Sequence, residues 1–146
     1  MSRFSSAFRS AGAGSTTLPI GGLTATAASR PYVVEVGVFN TTTTAVAMAL
    51  RRITALGTPG AGQVEVYEDD DVQVPLATTL TTWTVAPTFV SGNLRTIGIG
   101  TAIGAGVIWT FGQRGLMIPP GTANGIVLVP LSGTGQICDV YFVWDE

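Results

Sequence analysis

The densest potential chemistry in this chain is acidic. The stretch VEVYEDDDVQV gathers Glu65, Glu68, Asp69, Asp70 and Asp71 within seven residues. Carboxylates this close can ligate a hard cation such as calcium if the backbone wraps them around it, which makes Glu68, Asp69, Asp70 and Asp71 the metal candidates. The D-x-D-x-D-G spacing of an EF-hand is absent, and a solvated turn between Glu65–Tyr67 and Val72–Val74 is the plainer expectation. No spacing suggests two carboxylates facing each other across a pocket, as acid–base catalysis requires. Cys138 is the single cysteine, and the chain has no histidine to activate it. It sits in QICDVYFVW, which alternates like a strand, so a buried, inert thiol is expected there. These residues point to a non-enzymatic protein with no cofactor.

The remaining candidates suit contact more than catalysis. All seven cations are arginine. Arg51 and Arg52 are adjacent in an otherwise apolar stretch, so one must point outward, and an ion pair with a neighbouring copy is a better expectation than phosphate binding. Trp83, Trp109 and Trp144 offer either a sugar-stacking platform or packing in a core or interface, and their strand-like context favours packing. Arg51, Arg52, Trp83 and Trp109 are therefore the candidate residues of an oligomer interface.

The composition also points to an interface. Charged residues are 11% of the chain, against about 25% in an average soluble domain. The mean hydropathy is +0.44, high for a small protein exposed to water on every side, so large faces are expected to be covered by copies of itself or by a partner. A net charge of −2 argues against a general nucleic-acid binder, which would need a basic face.

The elements that must position these residues read as strands. Residues 1–30, MSRFSSAFRSAGAGSTTLPIGGLTATAASR, are rich in Ser, Ala, Gly and Thr and show no periodic apolar face. They are expected to form a flexible arm ordered only on docking, with Arg3, Phe4, Phe8, Arg9 and Arg30 as its partner-binding residues. An acid-free, Arg- and Ser-rich start also fits a transit peptide, whereas no apolar run follows Arg3 or Arg9 to make a secretory signal. From Pro31 onward the hydrophobic period is two. YVVEVGVF, AVAMALRRIT, QVEVYE, LTTWTVAPTFV, LRTIGIG, AGVIWTFG, GIVLVPL and QICDVYFVW are separated by turn signals about ten residues apart. Residues 31–146 are therefore expected to fold as one antiparallel β-sandwich. Ala45–Thr54 has helix propensity, but Val46, Met48 and Leu50 alternate with alanines and predict a strand.

Between Arg95 and Arg114 lie 18 uncharged residues, the lower limit for a membrane-spanning helix. Five glycines make it a poor helix former. Although Gly100 and Gly104 have the small-xxx-small spacing of membrane helix pairs, Ile97 and Ile99 alternating with glycine predict strands and no membrane partner. GIGTAI lacks the third glycine of a dinucleotide fingerprint.

The C-terminal pattern RGLMIPPGTANGIVLVPLSGTGQICDVYFVWDE resembles the end of small structural proteins of tailed bacteriophages. In these an IPPGT corner and a final strand ending in aromatic and acidic residues close a jelly-roll-like β-sandwich. The resemblance implies a virion component on the capsid surface: a decoration, or cement, protein that binds the major capsid protein or another virion protein and forms homo-oligomers, often trimers. Two other classes remain: a receptor- or carbohydrate-binding module of a tail or head fibre, and a subunit of a shell itself. Against the last stand the small size and an arm with only three arginines for holding nucleic acid.

Overall fold

The computed structural model describes residues 1–69 and 73–146. These form twelve strands and no helix: β1 (Arg3–Arg9), β2 (Gly21–Thr24), β3 (Tyr32–Asn40), β4 (Val46–Ala55), β5 (Val66–Tyr67), β6 (Thr78–Thr81), β7 (Thr88–Phe89), β8 (Arg95–Ile99), β9 (Gly106–Thr110), β10 (Leu116–Met117), β11 (Gly125–Ser132) and β12 (Cys138–Asp145). One sheet runs β10-β3-β12-β1-β5, with β9 also on the free side of β3. The other runs β6-β2-β11-β4-β7, with β8 also on β4. Every pairing is antiparallel.

The chain changes sheet at each step from β1 to β4, and again from β10 through β11 to β12. With β7 and β8 taken as one edge and β9 and β10 as another, the order is that of an eight-stranded jelly roll. The β5–β6 segment is inserted after β4 and widens both sheets on one side. The expected single-domain β-sandwich is thus the fold observed, and Ala45–Thr54 lies almost wholly within β4.

Alternation builds the core. In β12 the residues Cys138, Val140, Phe142 and Trp144 are buried while their neighbours are part-exposed. They face Val33, Val36 and Val38 of β3, with one register shift between Val143 and Trp144 that leaves Val34 as the extra residue. From the other sheet Val46, Met48 and Leu50 meet Ile126 and Leu128 in the same core. Pro130, which cannot donate to a ladder, sits where β11 shifts register against β4.

The expected arm is corrected: residues 1–30 supply two core strands. β1 pairs with β12 along its whole length and with β5 on its other side. Phe4 is buried in the main core and Phe8 packs against it. Ser6, also inward, hides the period because it is polar, but its hydroxyl donates to the Val64 carbonyl at 2.8 Å and accepts from Thr79 at 2.8 Å. β2 reads as a loop because it begins Gly21-Gly22. Both glycines make room for rings: a Cβ on Gly21 would lie 3.0 Å from Phe8, and one on Gly22 would lie 2.9 Å from Trp83. The sandwich therefore includes residues 1–30 and does not begin at Pro31.

Residues 96–113 enter β8 and β9, joined by a turn in which Gly104 takes φ +87°. No helix among the described residues is long and apolar enough to cross a membrane.

Candidate interaction surfaces

The arginines read as anchors for a partner are mostly engaged within the fold. Arg3 and Arg9 face outward at opposite ends of β1. Arg3 forms a bidentate pair with Asp145, its register partner, at 2.7 and 3.0 Å. Arg9 does the same with Asp139 at 2.7 and 2.9 Å, and that contact holds the Asp139 carboxyl below its ordinary pKa. Phe4 cannot reach a partner: it is buried between Tyr67 and Trp144, at centroid distances of 5.4 and 5.9 Å.

Of the four interface candidates Trp83 is buried, while Arg51, Arg52 and Trp109 are part-exposed and make contacts within the fold. Arg51 projects from the outer face of β4 and lies 4.3 Å over the Phe89 ring, donating to the Val90 carbonyl at 3.1 Å. Arg52, on the opposite face, donates to the Met117 carbonyl at 2.6 Å, and burial pulls its pKa down. Trp83 is 1% exposed. It lies against Val127 and Ile53 in a second apolar cluster, and its indole N–H donates to the Leu56 carbonyl at 2.7 Å. Trp109 is part-buried and packs against the main core. Trp83, in the connection from β6 to β7, folds back over Val127 and Ile53, a contact that strand periodicity alone does not reveal.

The acidic segment also acts within the molecule. The backbone N–H of Thr79 donates to Glu65 Oε1 at 2.9 Å, that of Arg3 to Asp69 Oδ2 at 2.6 Å, and that of Leu76 to Glu146 Oε1 at 2.7 Å. Carboxylates thus pin the β5–β6 segment to the sandwich by charge-assisted bonds. Glu68 is exposed, and its charge, after that of Asp145, helps raise the pKa of the Arg3 guanidinium. Asp70 and Asp71 lie outside the described residues. Among the described residues no group of three or more His, Cys, Asp or Glu is placed to hold a metal ion.

Cys138 is buried, as expected. Burial, with Asp139 beside it, pushes its thiol up to about 11.

The surface features that periodicity did not expose lie elsewhere. On the outer face of the first sheet, Phe39 and Tyr141 stack at 6.4 Å and 19°. Tyr141 fills the space over Gly37 and donates to Glu35 at 2.6 Å. With Ala7, Arg9 and Asp139 the two rings line an open hollow of about 310 Å³. At one end of the sandwich a larger groove of about 540 Å³ is lined by Met1, Tyr32, Gln113, Arg114, Met117 and Asp145. A second hollow of about 270 Å³ adjoins it at Met1 and Tyr32 and takes in Arg30, Val74 and Leu76. No protein-family model, curated protein or solved structure matches this chain.

Proposed function

We propose that this chain is a non-enzymatic virion structural protein, a decoration protein that binds the outside of a phage capsid and stabilises it as a homo-oligomer. The observation that supports the reading is the pairing of a jelly roll, tied by internal ion pairs, with large apolar side chains left in water. Val64, Val74, Ile103 and Ile108 are each more than half exposed. A molecule that pairs Arg3 and Arg9 internally and shows large apolar residues outward is suited to contact with protein. Attachment at many equivalent shell positions multiplies weak single contacts, and binding only the assembled, expanded shell shifts that shell away from dissociation. The N-terminal residues act here as part of the rigid body, not as a reaching arm. Co-sedimentation of the purified protein with expanded, undecorated phage capsids tests the reading. Saturable binding with a raised shell melting temperature is expected; absence of binding to every shell tried would remove it.

A second reading, a glycan- or receptor-binding module, is favoured by the Phe39–Tyr141 pair. Two stacked rings beside Arg9 and Asp139 offer a platform for a sugar face with polar groups at its rim. Binding on a glycan array that disappears with Tyr141→Ala would favour this reading. Trp83 is not the residue to test, because it is buried.

A further inference from the structure

We infer that the free edge of β9 is where a second copy of this chain adds, strand to strand, about a two-fold axis at Ile108. The inference rests on the self-association in the reading above and names its location. Two hydrogen bonds at the ends of β9 fix which way its backbone points. The Asn40 N–H donates to the Ala105 carbonyl at 2.7 Å, and the Phe111 N–H donates to the Val34 carbonyl at 2.9 Å. Alternate residues of an antiparallel strand turn their backbone groups to the same side, so Val107 and Trp109 also address β3. Gly106, Ile108 and Thr110 therefore turn both N–H and C=O outward. All three are exposed. Among the described residues β9 pairs with β3 alone, and nothing else bonds to those outward groups.

An open row of backbone groups is a template for another strand unless shortness, charge, proline or a covering loop blunts it. The other margins of the two sheets are blunted. β5, β7 and β10 have two residues each. β6 is covered by residues 61–63: the Gln63 N–H donates to the Thr79 carbonyl at 2.8 Å, and the Thr81 N–H to the Ala61 carbonyl at 3.1 Å. β8 opens on Arg95. β9 has five residues, and the chain from Thr96 to Gln113 holds neither charge nor proline.

The edge is complementary to itself. Antiparallel pairing about Ile108 sets Ile108 opposite Ile108 of the second copy and Gly106 opposite Thr110, so each outward residue exchanges both of its backbone bonds. The side chains agree with this register. On the core side Val107 comes beside Trp109 of the second copy; both are part-buried against the core and gain cover. On the outer face Ile108, 52% exposed, has Gly37 as its register partner, and the Tyr141 ring covers Gly37. The apolar row then runs Tyr141, Ile108, Ile108, Tyr141 across the axis. Charges beside β9 lie at its Thr110 end: Glu35 in register with Thr110, Arg95 over the Phe111 ring at 5.1 Å, and Arg114 beyond. Antiparallel pairing sends those ends apart, so like charges do not meet. Each copy has one such edge, and the contact closes at two chains, not at the three that the phage resemblance implies.

Sedimentation equilibrium of the full chain at micromolar concentration tests this, with circular dichroism to confirm folding and hydrogen exchange by NMR to locate the contact. Wild type should sediment as two copies of the 15.0 kDa chain. Its Gly106, Ile108 and Thr110 amides should exchange slowly, although nothing within one chain bonds them. Ile108→Pro removes an N–H that β3 does not use and should give a folded monomer. Ile108→Lys sets two cations face to face at the axis and should weaken the dimer about tenfold or more. Val64→Lys places the same charge at a residue 78% exposed in the β4–β5 connection and should leave the dimer intact. A monomeric wild type, a three-chain mass, a dimer whose three amides exchange freely, or an equal loss from Val64→Lys would each overturn the edge pairing. None of these would bear on capsid co-sedimentation, which judges the decoration reading separately.

Discussion

Phe4 and Trp144 are register partners on β1 and β12, with ring centroids 5.9 Å apart and planes inclined at 31°. Residues 140 positions apart in sequence thus close one buried aromatic contact between two inner strands of the first sheet, near the groove end. Phe4→Ala should cost about 3–5 kcal/mol by chemical denaturation, the usual cost of emptying a buried aromatic site. Removing residues 1–10 should abolish the cooperative transition, because β12 loses one of its two partners and β5 loses the strand it pairs with. A truncated protein that melts like the full chain would show that β1 is not integral to the fold.

Gly22 lies under Trp83, and a Cβ there would come within 2.7 Å of Val127 and 2.9 Å of the indole. Gly22→Ala should therefore destabilise by about 1–3 kcal/mol through overpacking. Gly98→Ala is the control. It is also a strand glycine, yet nothing lies within 4 Å of its added Cβ, so its melting temperature should hold or rise slightly. Equal losses at both sites would refute the packing argument.

Cys138 should resist thiol reagents at neutral pH, because its thiol is buried and its pKa raised to about 11. Labelling should track unfolding as denaturant is added. Rapid labelling of the native protein would mean that the end of the sandwich beside Gln136 opens locally.

The Asp139 carboxyl has a lowered pKa, chiefly through its hydrogen bond from Arg9. The folded form therefore binds this proton less readily than the unfolded chain. The resulting stability is complete above the unfolded carboxylate value of about 3.9 and is lost as pH falls through the lower folded value. Both side chains are about half exposed or more, so the contribution is small and salt-sensitive. Asp139→Asn should flatten the acid limb of the melting-temperature profile and make it less responsive to salt. An unchanged limb would show that the pair adds nothing.

Strand periodicity made β3, β4 and β12 legible, because most of their inward residues are apolar: Val33, Val36 and Val38, then Val46, Met48 and Leu50, then Val140, Phe142 and Trp144. It failed at β1 and β2 for a specific reason. Ser6 is an inward residue that a serine can fill only because Val64 and Thr79 satisfy its hydroxyl. Gly21 and Gly22 are inside a strand because Phe8 and Trp83 occupy the volume that side chains would take. Such positions are defined by residues far along the chain, which local pattern cannot show. Trp83 was hidden in a similar way: it lies in the β6–β7 connection and is buried against Val127 and Ile53, whereas Arg51, Arg52 and Trp109 keep part of their surface exposed. Arg30 alone among the expected partner-binding arginines is left without a partner, and only after the others are placed does that become visible.

The position of β12 between β1 and β3 has a kinetic consequence. Until residues 138–145 are available, neither neighbour has its shared partner, and the first sheet cannot assemble around its centre. Chains dominated by such distant pairings fold in milliseconds to seconds, not microseconds. During synthesis β1 and β3 must wait until residues 138–145 are made, with Phe4, Phe8 and the valines of β3 uncovered. Yield at high expression temperature should then be limited by aggregation of incomplete chains, not by the stability of the finished molecule.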